Sequence, residues 1–148
     1  MNDDIPARHT ADCIDPTIAA DTLFVHSTDY SHIRLMNDSR WPWLIVLPRH
    51  SDCQELHHLD ESLRTGFLAD INLLSEIMQR YTQCQSVNIA MLGNVVAALH
   101  CHIVARDKDD PNWPRPIWGF EYAVPYDDNL PDGLINEIQR QLADNASR

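Results

Sequence analysis

Ala98-Leu99-His100-Cys101-His102-Ile103-Val104-Ala105-Arg106 alternates apolar residues with two histidines, the period-two pattern of a β-strand. Side chains on a strand point alternately to its two faces, so Ala98, His100, His102 and Val104 share one side and Leu99, Cys101, Ile103 and Ala105 the other. The second set reads as a core face, with Cys101 a packing residue. The first carries two imidazoles about 6 to 7 Å apart by strand geometry, close enough for both to touch one phosphate or one metal ion.

Working outward, residues 23–26, 33–37 and 43–47 read as three further strands whose short polar links imply antiparallel pairing. Trp43-Leu44-Ile45-Val46-Leu47 is apolar on both faces and suits a central strand covered on both sides, ending at Pro48. From Asp60, a candidate N-cap, the period changes: Leu63, Phe67, Ile71, Leu74, Met78 and Tyr81 recur at helical intervals. Residues 86–91 alternate again, and Gly93-Asn94 breaks the pattern before the histidine strand, a hairpin-like pair. The stretch 107–125 carries four of the nine prolines and two of the four tryptophans, which predicts an ordered irregular arm; Trp113 and Trp118 could cover a neighbouring subunit or the ligand, with packing the preferred reading. Leu130, Leu134, Ile135, Ile138 and Leu142 mark a last amphipathic helix opened by Pro131. His57-His58 and the 107–110 acidic run read as solvated surface.

The chain has 148 residues, one domain over 1–148 by the usual relation of length to domain count. Eleven basic against 22 acidic residues give a formal charge of −11, which disfavours nucleic acid and anionic membrane as partners. A small anionic ligand is still compatible, because Arg49-His50 and His100-His102 can form positive islands in an acidic shell. Four widely spaced cysteines without a C-x-x-C indicate neither a disulfide framework nor a zinc ribbon. The acidic, proline-broken start Met1-Asn2-Asp3-Asp4-Ile5-Pro6 is unlike a signal peptide, so a cytoplasmic location is expected.

These residues resemble the histidine triad (HIT) family of nucleotide hydrolases and transferases, which carries H-x-H-x-H-x-x, x apolar, on the last strand of an antiparallel sheet. The corresponding residues here are Ala98-Leu99-His100-Cys101-His102-Ile103-Val104. Leu35-Met36-Asn37, Leu47-Pro48-Arg49 and Gly93-Asn94 match further family features, so the likeness spans about residues 23–106. It implies a HIT-like α+β fold: an antiparallel sheet of about five strands, one long helix packed on it and a C-terminal helix. Family members are typically homodimers that join two such sheets, and the Trp/Pro arm could serve that contact.

By the same resemblance His100, the middle triad position, is the nucleophile that attacks an α-phosphorus, with its Nδ1–H held by the Ala98 carbonyl. His102 would donate to a phosphate oxygen, Asn94 would contact the phosphate or scissile bridge, and Asn37 would hold the ribose hydroxyls. Asn88 is a further phosphate-side candidate. The substrate implied is a small nucleotide, adenine by family habit. No metal or cofactor is needed for the nucleophile, although a divalent ion can accompany a polyphosphate. Two positions depart from the family: Ala98 stands where the first triad histidine would be, and Val95 stands where several relatives have a hydroxyl to protonate the leaving group. Leaving groups that need no proton, such as a nucleoside polyphosphate, are therefore favoured.

Two other classes fit the same residues. One is a nucleotide-binding sensor with negligible turnover, to which Ala98 and Val95 would point. The other is an H-x-H metal protein, for which His50, His57 and His58 would be the added ligands.

Overall fold

A computed structural model describes residues 14–49 and 51–148. Cys13 and His50 lie outside the described residues. Six-residue helix α1 (Pro16–Asp21) leads into strands β1 (Thr22–Ser27), β2 (Ser31–Met36) and β3 (Trp43–Pro48), and a short 3-10 turn precedes the long helix α2 (Glu61–Thr82). Strands β4 (Ser86–Met91) and β5 (Cys101–Arg106) and helix α3 (Asp132–Ala146) follow. The five strands form one sheet in the order β1-β2-β3-β5-β4, every neighbouring pair antiparallel.

The alternation in the sequence decides how the sheet is covered. Leu44 and Val46 of β3, with Cys101, Ile103 and Ala105 of β5, face α2 and α3 and pack against Phe67, Ile71, Leu74, Met78 and Ile138. Trp43, Ile45, Leu47 and Val104 point the other way, where Ile18 of α1 and Trp41 and Ile117 close a second core. A central strand between two cores needs apolar residues at every position, and all six residues of β3 are buried.

Helix α2 is set at both ends as its residues require. The Asp60 carboxylate accepts the Leu63 N–H at 2.9 Å, and Gln83 stops the helix in the left-handed region at φ 56°. Buried Asp70, on the same helix, accepts the hydroxyls of Thr28 and Ser31 at 2.6 and 2.7 Å and ties the β1–β2 turn to α2. A register shift in β1 sets Val25 out of the ladder, and Gln139 Nε2 of α3 donates to its carbonyl at 2.8 Å.

Three expectations are corrected. The histidine strand begins at Cys101, not Ala98, because β3 and β4 both run out of partners there: Val46 and Met91 are the last residues paired with it. Before that point the chain turns away, with the Leu99 N–H donating to Cys53 O at 2.9 Å. Helix α1 is absent from the sequence reading, since six residues are too few to establish a 3.6-residue period. The acidic run is not all surface: Asp110 forms a two-pronged ion pair with fully buried Arg106, Nε–Oδ2 2.7 Å and Nη2–Oδ1 3.0 Å. That pair, with Arg106 also donating to Arg115 O at 2.8 Å and lying over the Trp113 ring, anchors the arm that follows β5.

Candidate active site

His102 occupies β5 and His100 the residue just before it, so the two imidazoles still share a side. Their ring centroids are 4.9 Å apart. The face is not open: His100 and His102 are only 7% and 6% exposed, because α1, β3 and the arm cover them. His100 Nδ1 lies 2.6 Å from the carbonyl oxygen of Ala98, and a carbonyl can only accept, so Nδ1 carries a proton and, in the neutral ring, Nε2 keeps its lone pair. The Trp43 Nε1–H donates to His102 Nδ1 at 3.0 Å, and the Trp118 ring stands edge-on to His102 at 5.4 Å. Burial, aided by the adjacent His100, pushes the His102 imidazole down to about 4. Burial likewise pushes the Cys101 thiol, on the opposite face, up to about 12, which leaves it inert.

The two rings border a cavity of about 190 Å³ whose other walls include Thr17 and Asp21 of α1, Val95, Val96 and Trp118. A second cavity, about 430 Å³, adjoins it and shares Asp21, Met36, Trp43 and Trp118. The arm forms much of the second chamber, from Ile117 to Pro125. It is strapped to the β2–β3 turn: Ser39 N–H donates to Val124 O at 2.7 Å, and Arg40 bonds Phe120 O at 2.6 Å while pairing with Asp38. Burial raises the Asp38 carboxyl, but the hydrogen bonds from Arg40 outweigh it and hold the group below its ordinary value. The indole N–H of Trp118 is buried without an acceptor among the described residues, a donor left for a ligand.

The other sequence candidates are more dispersed. Asn37 lines the larger chamber, with its side-chain oxygen accepting the Tyr126 N–H at 3.0 Å, so its NH₂ is the group left for a ligand. Asn94 is exposed on the 92–100 loop, from which Val95, also exposed, and half-buried Val96 edge the cavity. Asn88 sits on β4 opposite Val104, where its carbonyl oxygen accepts from Arg106 Nη1 at 3.0 Å. Arg49 turns to Thr28 O at 2.7 Å, and His57 and His58 are exposed on the 3-10 turn. Among the described residues no three metal-binding side chains converge. Trp43 and Asp21 have no place in the sequence reading of the site, and Trp118, for which packing is the preferred sequence reading, stands at the cavity. Trp43 shares the histidine face because β3 pairs with β5 with Ile45 opposite His102, a register that β3, apolar at every position, does not reveal by its own pattern.

Comparison with known proteins agrees with this architecture. A histidine triad protein from Bradyrhizobium japonicum has a structure similar to this one at 32% identity and a TM-score of 0.84, over 88% of this chain and 97% of that one. A histidine triad protein from Sinorhizobium meliloti is 34% identical with a TM-score of 0.83, over 86% and 95%. The diadenosine triphosphate hydrolase of Plasmodium falciparum, 18% identical over 90% of this chain and 81% of its own, shares the fold at a TM-score of 0.56. No protein with a curated description matches. The model of the HIT domain family matches residues 18–109, from α1 through β5 and into the start of the arm, and with the identities above it establishes that this chain belongs to the HIT domain family.

Proposed function

We propose that this protein is a nucleotide hydrolase or nucleotidyl transferase, acting at the α-phosphate of a small nucleotide, with adenine nucleotides the first candidates. The carrying observation is the 2.6 Å contact between His100 Nδ1 and Ala98 O, which leaves the Nε2 lone pair free to attack. Ala98 takes the first triad position, and the carbonyl that orients the nucleophile belongs to the backbone, so the missing imidazole does not remove it. In the first step a bond forms between His100 Nε2 and the α-phosphorus as the bond to the leaving oxygen breaks. In the second, water or another acceptor attacks phosphorus, the P–N bond breaks, and His100 regains its lone pair. His102 donates to a phosphate oxygen as negative charge builds there. The adjoining chamber, with Asn37 in its wall, holds the nucleoside; Asn94, on the loop that edges the histidine cavity, keeps a supporting place at the phosphate side, whereas Asn88 is engaged by Arg106 and drops out of the site.

Val95, exposed at the edge of the histidine cavity, donates nothing, so leaving groups that depart without a proton are favoured. The fold shared with a diadenosine triphosphate hydrolase is consistent with such a substrate. The nucleophile needs no metal, while a divalent ion accompanies a polyphosphate. The protein acts as one domain in the cytoplasm and as a homodimer. The exposed Ile89 on the outer strand β4 suits a sheet-to-sheet contact.

The test is incubation with nucleoside polyphosphates, dinucleoside polyphosphates and adenylate esters, read by product identity, followed by brief exposure to a nucleotide labelled at its α-phosphate. Base-stable, acid-labile label on the protein is expected, as for a phosphorus–nitrogen bond. Label that resists acid, or turnover that depends on a transition metal removable by a chelator and is not restored by magnesium, would overturn the histidine mechanism. Binding of nucleotide with no product would establish the second reading, a nucleotide-holding module, which the donor-free Val95 favours.

A further inference from the structure

We infer that Trp43 is the positioning residue that holds His102 as a neutral imidazole with its proton on Nε2, and so makes it a hydrogen-bond donor toward the substrate. The inference rests on the phosphoryl-transfer reading for its purpose, but not for its geometry.

An indole nitrogen only donates. With the Trp43 Nε1–H 3.0 Å from His102 Nδ1, that nitrogen must be bare, and a neutral ring then carries its proton on Nε2. The charged imidazolium would set an N–H on Nδ1 against the indole N–H, so Trp43 disfavours charging in the same direction as burial does. The neighbouring ring has the reverse arrangement, because the Ala98 carbonyl demands a proton on Nδ1 of His100. Two histidines with centroids 4.9 Å apart are thereby made unlike: one presents a lone pair, the other an N–H. Without the indole the His102 ring could take either tautomer, and the wrong one would point a second lone pair at a phosphate oxygen.

The location of Trp43 explains how it does this. It sits at the start of β3, on the sheet face that also carries His102, and its ring packs against His102 at 5.7 Å and edge-on to Trp41 at 6.4 Å. Its neighbours therefore fix the ring that fixes His102. The titratable groups bordering the His102 cavity are His100, two residues before it, and Asp21 of α1. The flanking residues Trp43 and Ile45 of β3, Ala90 of β4 and Trp118 of the arm do not titrate in this range.

The experiment is ¹⁵N NMR of the imidazole nitrogens in wild-type protein and in Trp43→Phe, which keeps a ring and deletes the donor, with pH–rate profiles on the same samples. Wild-type His102 is expected in the Nε2–H form and uncharged at neutral pH. Trp43→Phe is expected to show a mixture of tautomers and a His102 titration moved upward. Its kcat should fall about tenfold with little change in KM, and the acid limb of its rate profile should shift upward. A wild-type His102 with its proton on Nδ1, or titrating at the ordinary imidazole value, overturns the inference whether or not the variant folds. So does a folded Trp43→Phe whose tautomer and titration equal those of wild type. The NMR readout needs no turnover, so failure of the hydrolase reading would be seen separately, as absence of product from a protein whose tautomers are as expected.

Discussion

His100 and His102 differ in what they stand to lose on truncation, because only one is asked to form a bond. Replacing His100 by Ala removes the attacking nitrogen, so turnover should vanish while nucleotide affinity stays measurable. His102→Ala removes one donor aimed at developing charge, a loss of about 10² to 10³ in rate. Single-turnover rates of the two variants give the ranking, and an equal or larger effect of His102→Ala would reverse the roles. Ala98 offers a complementary gain. It borders a cavity of about 270 Å³ beside His32 and Leu47, so the imidazole of Ala98→His has room, and rates similar to or above wild type are expected in the same assay. Conversion of an inert protein into a hydrolase by that substitution would instead mark the natural chain as a binding module.

At the level of elements, the arm depends on one buried charge. Arg106 is 1% exposed and satisfied by Asp110, Asn88 and Arg115 O, so Asp110→Ala strands a guanidinium inside the protein. Breaking a buried pair from one side costs about 3 to 5 kcal/mol, and the arm that carries Trp118 should loosen with it. Chemical denaturation would measure the first effect and limited proteolysis between residues 107 and 125 the second; an arm still as resistant as wild type would mean that its straps to Asp38 and Ser39 suffice. This dependence shows where sequence reading ends. Helix α2 was legible because 22 residues hold many helical periods and a capping aspartate, and β5 because its alternation is unbroken. Asp110 was read as surface because partnership with Arg106 needs a turn that composition does not specify. The pairing of Trp43 with His102 was hidden for a different reason: β3 is apolar at every position, so its own pattern does not say which residues face β5's histidines, and that register is set by chain segments some sixty residues apart.

For the molecule as a whole, the buried histidine site makes stability depend on pH in a window of its own. His102 titrates at about 4 in the folded protein against 6.5 when unfolded, so between those values the unfolded chain binds a proton that the native state refuses. Stability from this group therefore rises with pH: it is lost progressively as pH falls from 6.5 to about 4, and the full difference is about 3 kcal/mol. The paired carboxylates act in the same direction but lower down. Asp38 and Asp110 are held below their ordinary value of 3.8 against the opposing effect of burial, so their contribution is complete above that value and is lost as pH drops through their folded titration. The two windows barely overlap, which permits a clean difference measurement. Urea denaturation at pH 7, 5.5 and 4.5 should show wild type losing stability relative to His102→Gln as pH falls, since a glutamine of similar size cannot charge. The change in the gap between the two stability curves cancels the titration of the histidines remote from the site. Parallel curves across that range would show that His102 takes up its proton in the folded state as readily as in the unfolded chain, and that the indole and the apolar walls around it do not hold it neutral.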